Sequence, residues 1–319
     1  MKVLQAVAGF ACILMPLCGT AAQAPQAIAQ AAGPVAVQQV AIGEPGRRMP
    51  LFIWRPAAPA GNRLPLVIIS HGTGAGPTAH IDTAEALARA GFVVVAPMHR
   101  GDNFQDDSKV GRPEWMASRS RDVSGAIDYM LEEWDGHETL DSGRVGIFGL
   151  SAGATTALIA AGGVPDLGRI APHCAAQREF VCNIIVAQAA GAPPVRWTRD
   201  RRIAAAVLAA PGLGFVFEPS GLDAVTIPVQ LWVGGADQTV PYPTNAGVVR
   251  RLLRGPIDFH SVDNAVHLSF LAPCGPQSPP QLCQDNPGFD RAAFHREFNR
   301  SIVGFFRAHL QGAAAAAGE

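Results

Sequence analysis

Charge is scarce in this chain. Only 16% of its 319 residues are Asp, Glu, Lys or Arg, and the formal net charge is −1. No long basic run and no interleaving of aromatic with basic residues occurs, so the electrostatic footprint of a nucleic-acid-binding protein is missing. No C-x-x-C pair is present, which leaves a compact zinc site without its usual ligand spacing. No glycine cluster ends in Gly-Lys-Ser or Gly-Lys-Thr, so a nucleotide-phosphate cradle has no support. Internal repeats are absent. Beyond the N-terminal segment, no apolar stretch is a candidate membrane span.

Apolar residues, by contrast, make up 48% of the chain, enough for a large core. The 34 glycines and 26 prolines are dispersed between apolar runs, as in a globular protein with many tight loops. The first residues read as an export signal. Lys2 supplies the positive start, Val3 to Leu17 the apolar stretch, and Gly19 to Ala24 the small residues around a cut. Cleavage is expected after Ala22, Ala24 or Ala29. The alternative, a membrane anchor, would need a longer span. Pro16 and Leu17 before Cys18 do not suit a lipid-modified cysteine. The expected organisation is a signal at 1–24, a flexible leader at 25–34, one domain at 35–311 and a low-complexity tail at 312–319. Cys174, Cys182, Cys274 and Cys283 remain after export and suggest two disulfides, for which three connectivities exist. The local pairing, Cys174 with Cys182 and Cys274 with Cys283, is expected because each pair brackets one loop-like stretch. Free thiols and a zinc site are the other readings.

Strand and helix patterns alternate along the chain. Val35–Ile42 and Leu51–Arg55 read as strands joined by a Gly-Pro turn, and Leu64–Ser70 as a buried strand. Thr78–Ala90 follows as a helix, Phe92–Ala96 as a strand, residues 98–113 as a polar loop and Glu114–Trp134 as a long helix. That helix has Val123, Ile127, Met130 and Leu131 as its apolar stripe. Arg144–Phe148 is the next strand and Ala154–Ala161 the next helix. Residues 162–202 break the rhythm and read as an excursion over the active site. Ala204–Ala210 and Val229–Val233 resume the strands, followed by a helix at Pro243–Arg254, a strand at Ile257–Val262 and a closing helix at Arg291–Leu310. Several strands are apolar throughout, which indicates an α/β protein with a mostly parallel central sheet and helices on both faces.

Gly149-Leu150-Ser151-Ala152-Gly153 sits between a strand and a small-residue helix. A serine on so sharp a turn holds its hydroxyl clear of the backbone, and the helix directs its N-terminal dipole at the same spot. A structural turn would show the same glycines, but the strand and helix around it mark a nucleophile elbow. Serine needs a base, and the base needs a carboxylate. Asp237 directly follows a buried strand in Gly234-Gly235-Ala236-Asp237 and is the expected acid, with Asp263 as runner-up. Asp223 precedes a strand and Asp258 lies within one. Among nine histidines, His267 alone lies on a late post-strand loop and is the expected base. The oxyanion hole requires two convergent N–H donors. Ala152 supplies one, and Thr73 in His71-Gly72-Thr73-Gly74 the other, with Gly72 as alternative. Trp115, Met116 and Trp197 are candidates for an apolar acyl site, and equally for ordinary packing.

The motifs Ser70-His71-Gly72-Thr73-Gly74, Gly149-Leu150-Ser151-Ala152-Gly153, Gly234-Gly235-Ala236-Asp237 and Ala265-Val266-His267 resemble the α/β-hydrolase superfamily. The resemblance is to its bacterial dienelactone-hydrolase-like branch, related to platelet-activating-factor acetylhydrolases and polyester-hydrolysing esterases. It covers roughly residues 35–310 and includes the Phe270–Cys283 segment with Pro287–Arg291 after it. Ser151 stands where dienelactone hydrolases carry a cysteine nucleophile. The resemblance implies ester hydrolysis without a cofactor, but not a particular ester. Metal dependence has no motif behind it, and the expected substrate is a small-molecule or polymeric ester. The expected protein is a monomer, periplasmic or secreted, with no nucleic-acid partner and no membrane span after processing. The alternatives are an amidase or peptidase with the same triad, and a non-catalytic binding protein on the same fold.

Overall fold

A computed structural model describes residues 34–57, 63–185 and 195–311. The signal, Cys12 and Cys18, residues 25–33 of the leader, part of the excursion and the tail lie outside the described residues. Eight strands form one sheet in the order β1-β2-β4-β3-β5-β6-β7-β8. They are β1 (Val35–Ile42), β2 (Met49–Pro56), β3 (Leu64–Ser70), β4 (Val93–Pro97), β5 (Leu140–Leu150), β6 (Ile203–Ala209), β7 (Val229–Gly234) and β8 (Ile257–Val262). β1 pairs antiparallel with β2, and β2 with β4. From β4 to β8 every pairing is parallel.

Burial on both faces explains the continuous apolar strands. In β3, Leu66 and Ile68 face one core while Val67 and Ile69 face the other. β4 divides in the same way, Val93 and Val95 against Val94 and Ala96. The first core is closed by α2 (Trp115–Glu132), α3 (Ala152–Ala160) and α5 (Ala246–Leu252), the second by α1 (Ile81–Arg89) and α6 (Arg291–Phe306). A short helix, α4 (Ile170–Ala176), lies in the excursion.

Several element bounds differ from the sequence expectation: β2 spans Met49–Pro56 and α5 only Ala246–Leu252, and three further differences have a visible cause. α1 starts at Ile81 because residues 77–80 form turns, with Ala79 N–H donating to Gly76 O. β5 begins at Leu140, pairing with Leu64 across an irregularity that the apolar pattern does not show. α6 ends at Phe306 and gives way to a π-helical turn over Arg307–Gln311. The disulfides form locally, Cys174–Cys182 and Cys274–Cys283, with Cα separations of 5.5 and 6.0 Å. Among the described residues no helix is long and apolar enough to cross a membrane.

Candidate active site

Three strands of the parallel half of the sheet, β5, β7 and β8, deliver the expected groups to its carboxyl edge. Ser151 follows β5, Asp237 follows β7, and His267 opens a 3-10 turn (His267–Phe270) after β8. In an open parallel sheet this edge is where ligands bind.

Ser151 holds φ 57° and ψ −120°, a conformation that an L-residue adopts only under constraint. Its N–H donates to Ala209 O on β6 at 2.9 Å, and its carbonyl accepts from Ala154 N–H at 3.0 Å and Thr155 N–H at 3.1 Å. The flanking glycines make the turn possible by close approach. A Cβ on Gly153 would lie 1.9 Å from Ser70 O, and one on Gly149 would lie 2.2 Å from Gly153 O. α3 is thereby packed directly on the backbone at Ser70 and His71, where β3 leads into the 71–74 loop.

His267 Nδ1 lies 2.8 Å from Asp237 Oδ2. Asp237 Oδ1 accepts from Thr239 N–H at 2.8 Å and Val240 N–H at 3.1 Å, so both carboxylate oxygens are committed. Asp263 is exposed on the loop after β8. His260 stacks on Trp232, and His295 is bonded to Asp82 and to Ser269 O. Among the described residues no hydrogen bond joins Ser151 Oγ to His267, and such contacts in unliganded sites commonly tighten only with substrate. The His267 turn is itself braced. Ser269 Oγ donates to Asp285 at 2.6 Å, and Arg291 Nε donates to the same carboxylate at 2.8 Å.

A pocket opens at Ser151, bordered by Thr73, Ala152 and Gly212 and by the apolar side chains of Trp115, Val181 and Leu213. Of the three aromatic and methionine candidates only Trp115 borders it. Met116 and Trp197 pack in or against the first core. The excursion supplies one wall through Glu179, Phe180, Val181 and Ile184. Glu179 fastens that wall, accepting from Asn245 Nδ2 at 2.9 Å and Thr244 Oγ1 at 2.5 Å. The N–H groups of Thr73 and Ala152 have no partner among the described residues, whereas Gly74 N–H donates to Asp102 Oδ1 at 2.7 Å.

Beneath this site lies a buried polar cluster that the sequence reading passed over. Ser70, His71, His99, Asp102, Arg119 and Asp122 are all at most 1% exposed. Arg119 carried a readable signal, since it stands one helical turn before Val123 on the apolar stripe of α2. A charge on an apolar stripe must be paired inside. Its partners come from three separate segments, which no local pattern could name.

Burial holds three histidines neutral. His99 is pushed down to about 4 by desolvation, helped by Arg119 and opposed by Asp122. His71 lies well below its ordinary value, through desolvation and then through His99 and Arg119. Its ring roles agree, with Nδ1–H donating to Gly72 O at 2.8 Å and Nε2 accepting from His99 N–H at 3.2 Å. His80 is also pushed down to about 4, chiefly by desolvation. Between pH 6.5 and 4 the unfolded chain binds protons that the folded chain refuses, so stability falls as pH falls through that window. His99 alone should cost about 3 kcal/mol once the pH has dropped below 4. Urea unfolding at pH 7 and pH 5 checks this: the midpoint should fall sharply at pH 5, and an unchanged midpoint would contradict neutral burial.

The comparisons agree with the architecture. The X-Pro dipeptidyl-peptidase (S15) family matches residues 45–183. That span holds the Thr73 loop and Ser151 and ends before Asp237 and His267. A dienelactone hydrolase from Anabaena variabilis is 17% identical, with a TM-score of 0.54 over 86% of this chain and 99% of its own. A ferulic acid esterase from Streptomyces cinnamoneus is also 17% identical, with a TM-score of 0.59 over 89% of this chain and 92% of its own. No curated protein sequence matches the chain. The chain has the α/β-hydrolase fold, with an eight-stranded, mostly parallel sheet and helices on both faces.

Proposed function

We propose that the protein is an exported serine hydrolase that cleaves carboxylic esters through an acyl-enzyme. The observation that carries this reading is the His267–Asp237 pair, bonded at 2.8 Å on the sheet edge where Ser151 is held at positive φ. Asp237 fixes the imidazole with its proton on Nδ1, leaving Nε2 free to take the Ser151 proton. Ser151 then attacks the ester carbonyl, and the oxyanion is held by the Thr73 and Ala152 N–H groups. The imidazolium protonates the leaving alcohol. A water activated by the same base releases the acid. Export is supported by the N-terminal pattern and by two disulfides, which persist in oxidising compartments.

The pocket favours small acyl groups. It is narrow, with a volume of about 30 Å³, and its walls are largely apolar. The S15 match favours a second reading, a peptidase with the same triad, because that family is described by X-Pro dipeptide release. One assay separates the two. The purified protein is given p-nitrophenyl esters from acetate to palmitate and an Xaa-Pro p-nitroanilide. A fluorophosphonate probe is then located by peptide mass. The expected result is turnover highest on the shortest esters, with the probe on Ser151. Anilide cleavage without ester cleavage would replace the esterase reading by the peptidase one. No turnover and no label on Ser151 would leave a binding protein on a hydrolase fold.

A further inference from the structure

Arg119 is fully buried, and every group on its guanidinium is engaged. Nη1 donates to Asp102 Oδ2. Nη2 donates to His71 O and lies 3.4 Å from Ser70 Oγ. Nε donates to Thr156 Oγ1 at 2.9 Å, and that hydroxyl donates onward to Ala152 O at 2.8 Å. Asp102 closes the circuit, accepting from Gly74 N–H at 2.7 Å and from Trp115 Nε1 at 2.6 Å. One side chain on α2 therefore grips both halves of the oxyanion site. It holds the 71–74 loop at His71 O and, through Asp102, at Gly74 N. It holds the nucleophile helix through Thr156 at Ala152 O.

We propose that Arg119, with its counter-ion Asp102, is the positioning residue of the oxyanion hole, setting the Thr73 and Ala152 N–H groups relative to each other. This rests on the hydrolase reading above. Three arguments support it. First, Asp102 accepts from Gly74 N–H and so ties the loop at the residue after Thr73, whose own N–H has no partner among the described residues. Second, a deeply buried ion pair is weak evidence for a stabilising role, since apolar packing of equal volume commonly does as well. A geometric role accounts for its presence. Third, the planar five-donor fork suits acceptors in fixed directions, which a lysine ammonium cannot reproduce. Trp115, one turn before Arg119, donates to the same carboxylate and borders the pocket, so the brace reaches the substrate wall as well.

The test uses Arg119→Lys and Asp102→Asn in the full protein. Asp102→Asn is nearly isosteric and keeps an oxygen for Gly74 N–H. Thr156→Val, which keeps the ion pair and cuts only the link from Arg119 to Ala152 O, is assayed beside them, and folding of all three is checked by near-UV circular dichroism. On the best ester, kcat should fall by about 10²–10³ with KM unchanged, as for loss of one oxyanion donor. The Ki of a trifluoromethyl ketone, which forms an oxyanion on Ser151, should rise in proportion to the loss in kcat. The pH profile of kcat/KM should keep its shape, because His267 and Asp237 are untouched. A folded variant with wild-type kcat would overturn the proposal. So would one that loses kcat while binding the ketone as tightly as before. A wild-type protein without Ser151-dependent turnover would instead sink the hydrolase reading, which the wild-type control detects separately.

Discussion

Replacing Ser151 with alanine should lower ester turnover by about 10⁶ and leave the fold unchanged. The size follows from the chemistry. Without Oγ no acyl-enzyme forms, and only the oxyanion donors and binding remain to help a water attack directly. The preserved fold follows from the structure. Ser151 Oγ makes no hydrogen bond among the described residues, and the helix has no side-chain cap from it. The strained turn is held by the backbone instead, through Ala209 O on one side and the Ala154 and Thr155 N–H groups on the other. Alanine carries the same Cβ at the same positive φ, so it neither adds nor relieves strain. The variant should melt with the parent, within experimental error, and should lose fluorophosphonate labelling. Turnover above a hundredth of the parent's would show that Ser151 is not the nucleophile.

Much of the scaffold was written in local pattern. β3, β4, β6 and β7 are almost wholly apolar, Ser70 and Gln230 being the polar exceptions, because each is buried on both faces, so period and composition located them to within a residue or so. The elbow was legible for a related reason. Its two glycines answer to close backbone contacts, at Ser70 O and Gly153 O, that would reject any side chain. What was not legible was assembled from distant segments. Asp102 sits in a stretch that reads only as a polar loop, yet it is 1% exposed, because Arg119 from the next helix and Gly74 from an earlier loop converge on it. Likewise the turn that follows α6 packs Leu310, with Phe306, against Gly146 of β5, a distant segment, where a Cβ would lie 2.7 Å from the Phe306 ring. The helix's own sequence gives no stop signal there.

Asp237→Asn should lower kcat by about 10⁴ while leaving the protein folded. The carboxylate is placed so that its two oxygens do different work. Oδ1 accepts from the Thr239 and Val240 N–H groups, and Oδ2 faces His267 Nδ1 at 2.8 Å. In the asparagine variant the amide oxygen stays with the two backbone donors, since an NH₂ group there would leave both unpaired. The NH₂ group is thereby turned towards His267 and requires an acceptor at Nδ1. The imidazole responds by carrying its proton on Nε2, the nitrogen that must receive the Ser151 proton. The base is disabled by its tautomer, with every heavy atom in place. Asp263 provides the internal control. It is exposed on the loop after β8 and makes no bond to His267, so Asp263→Asn should turn over ester at the parent's rate. Parallel kcat measurements on the two variants at pH 7 decide the matter. Equal losses, or a loss confined to Asp263→Asn, would remove Asp237 from the triad. A loss confined to Asp237→Asn assigns the tautomer lock to the carboxylate bonded to His267.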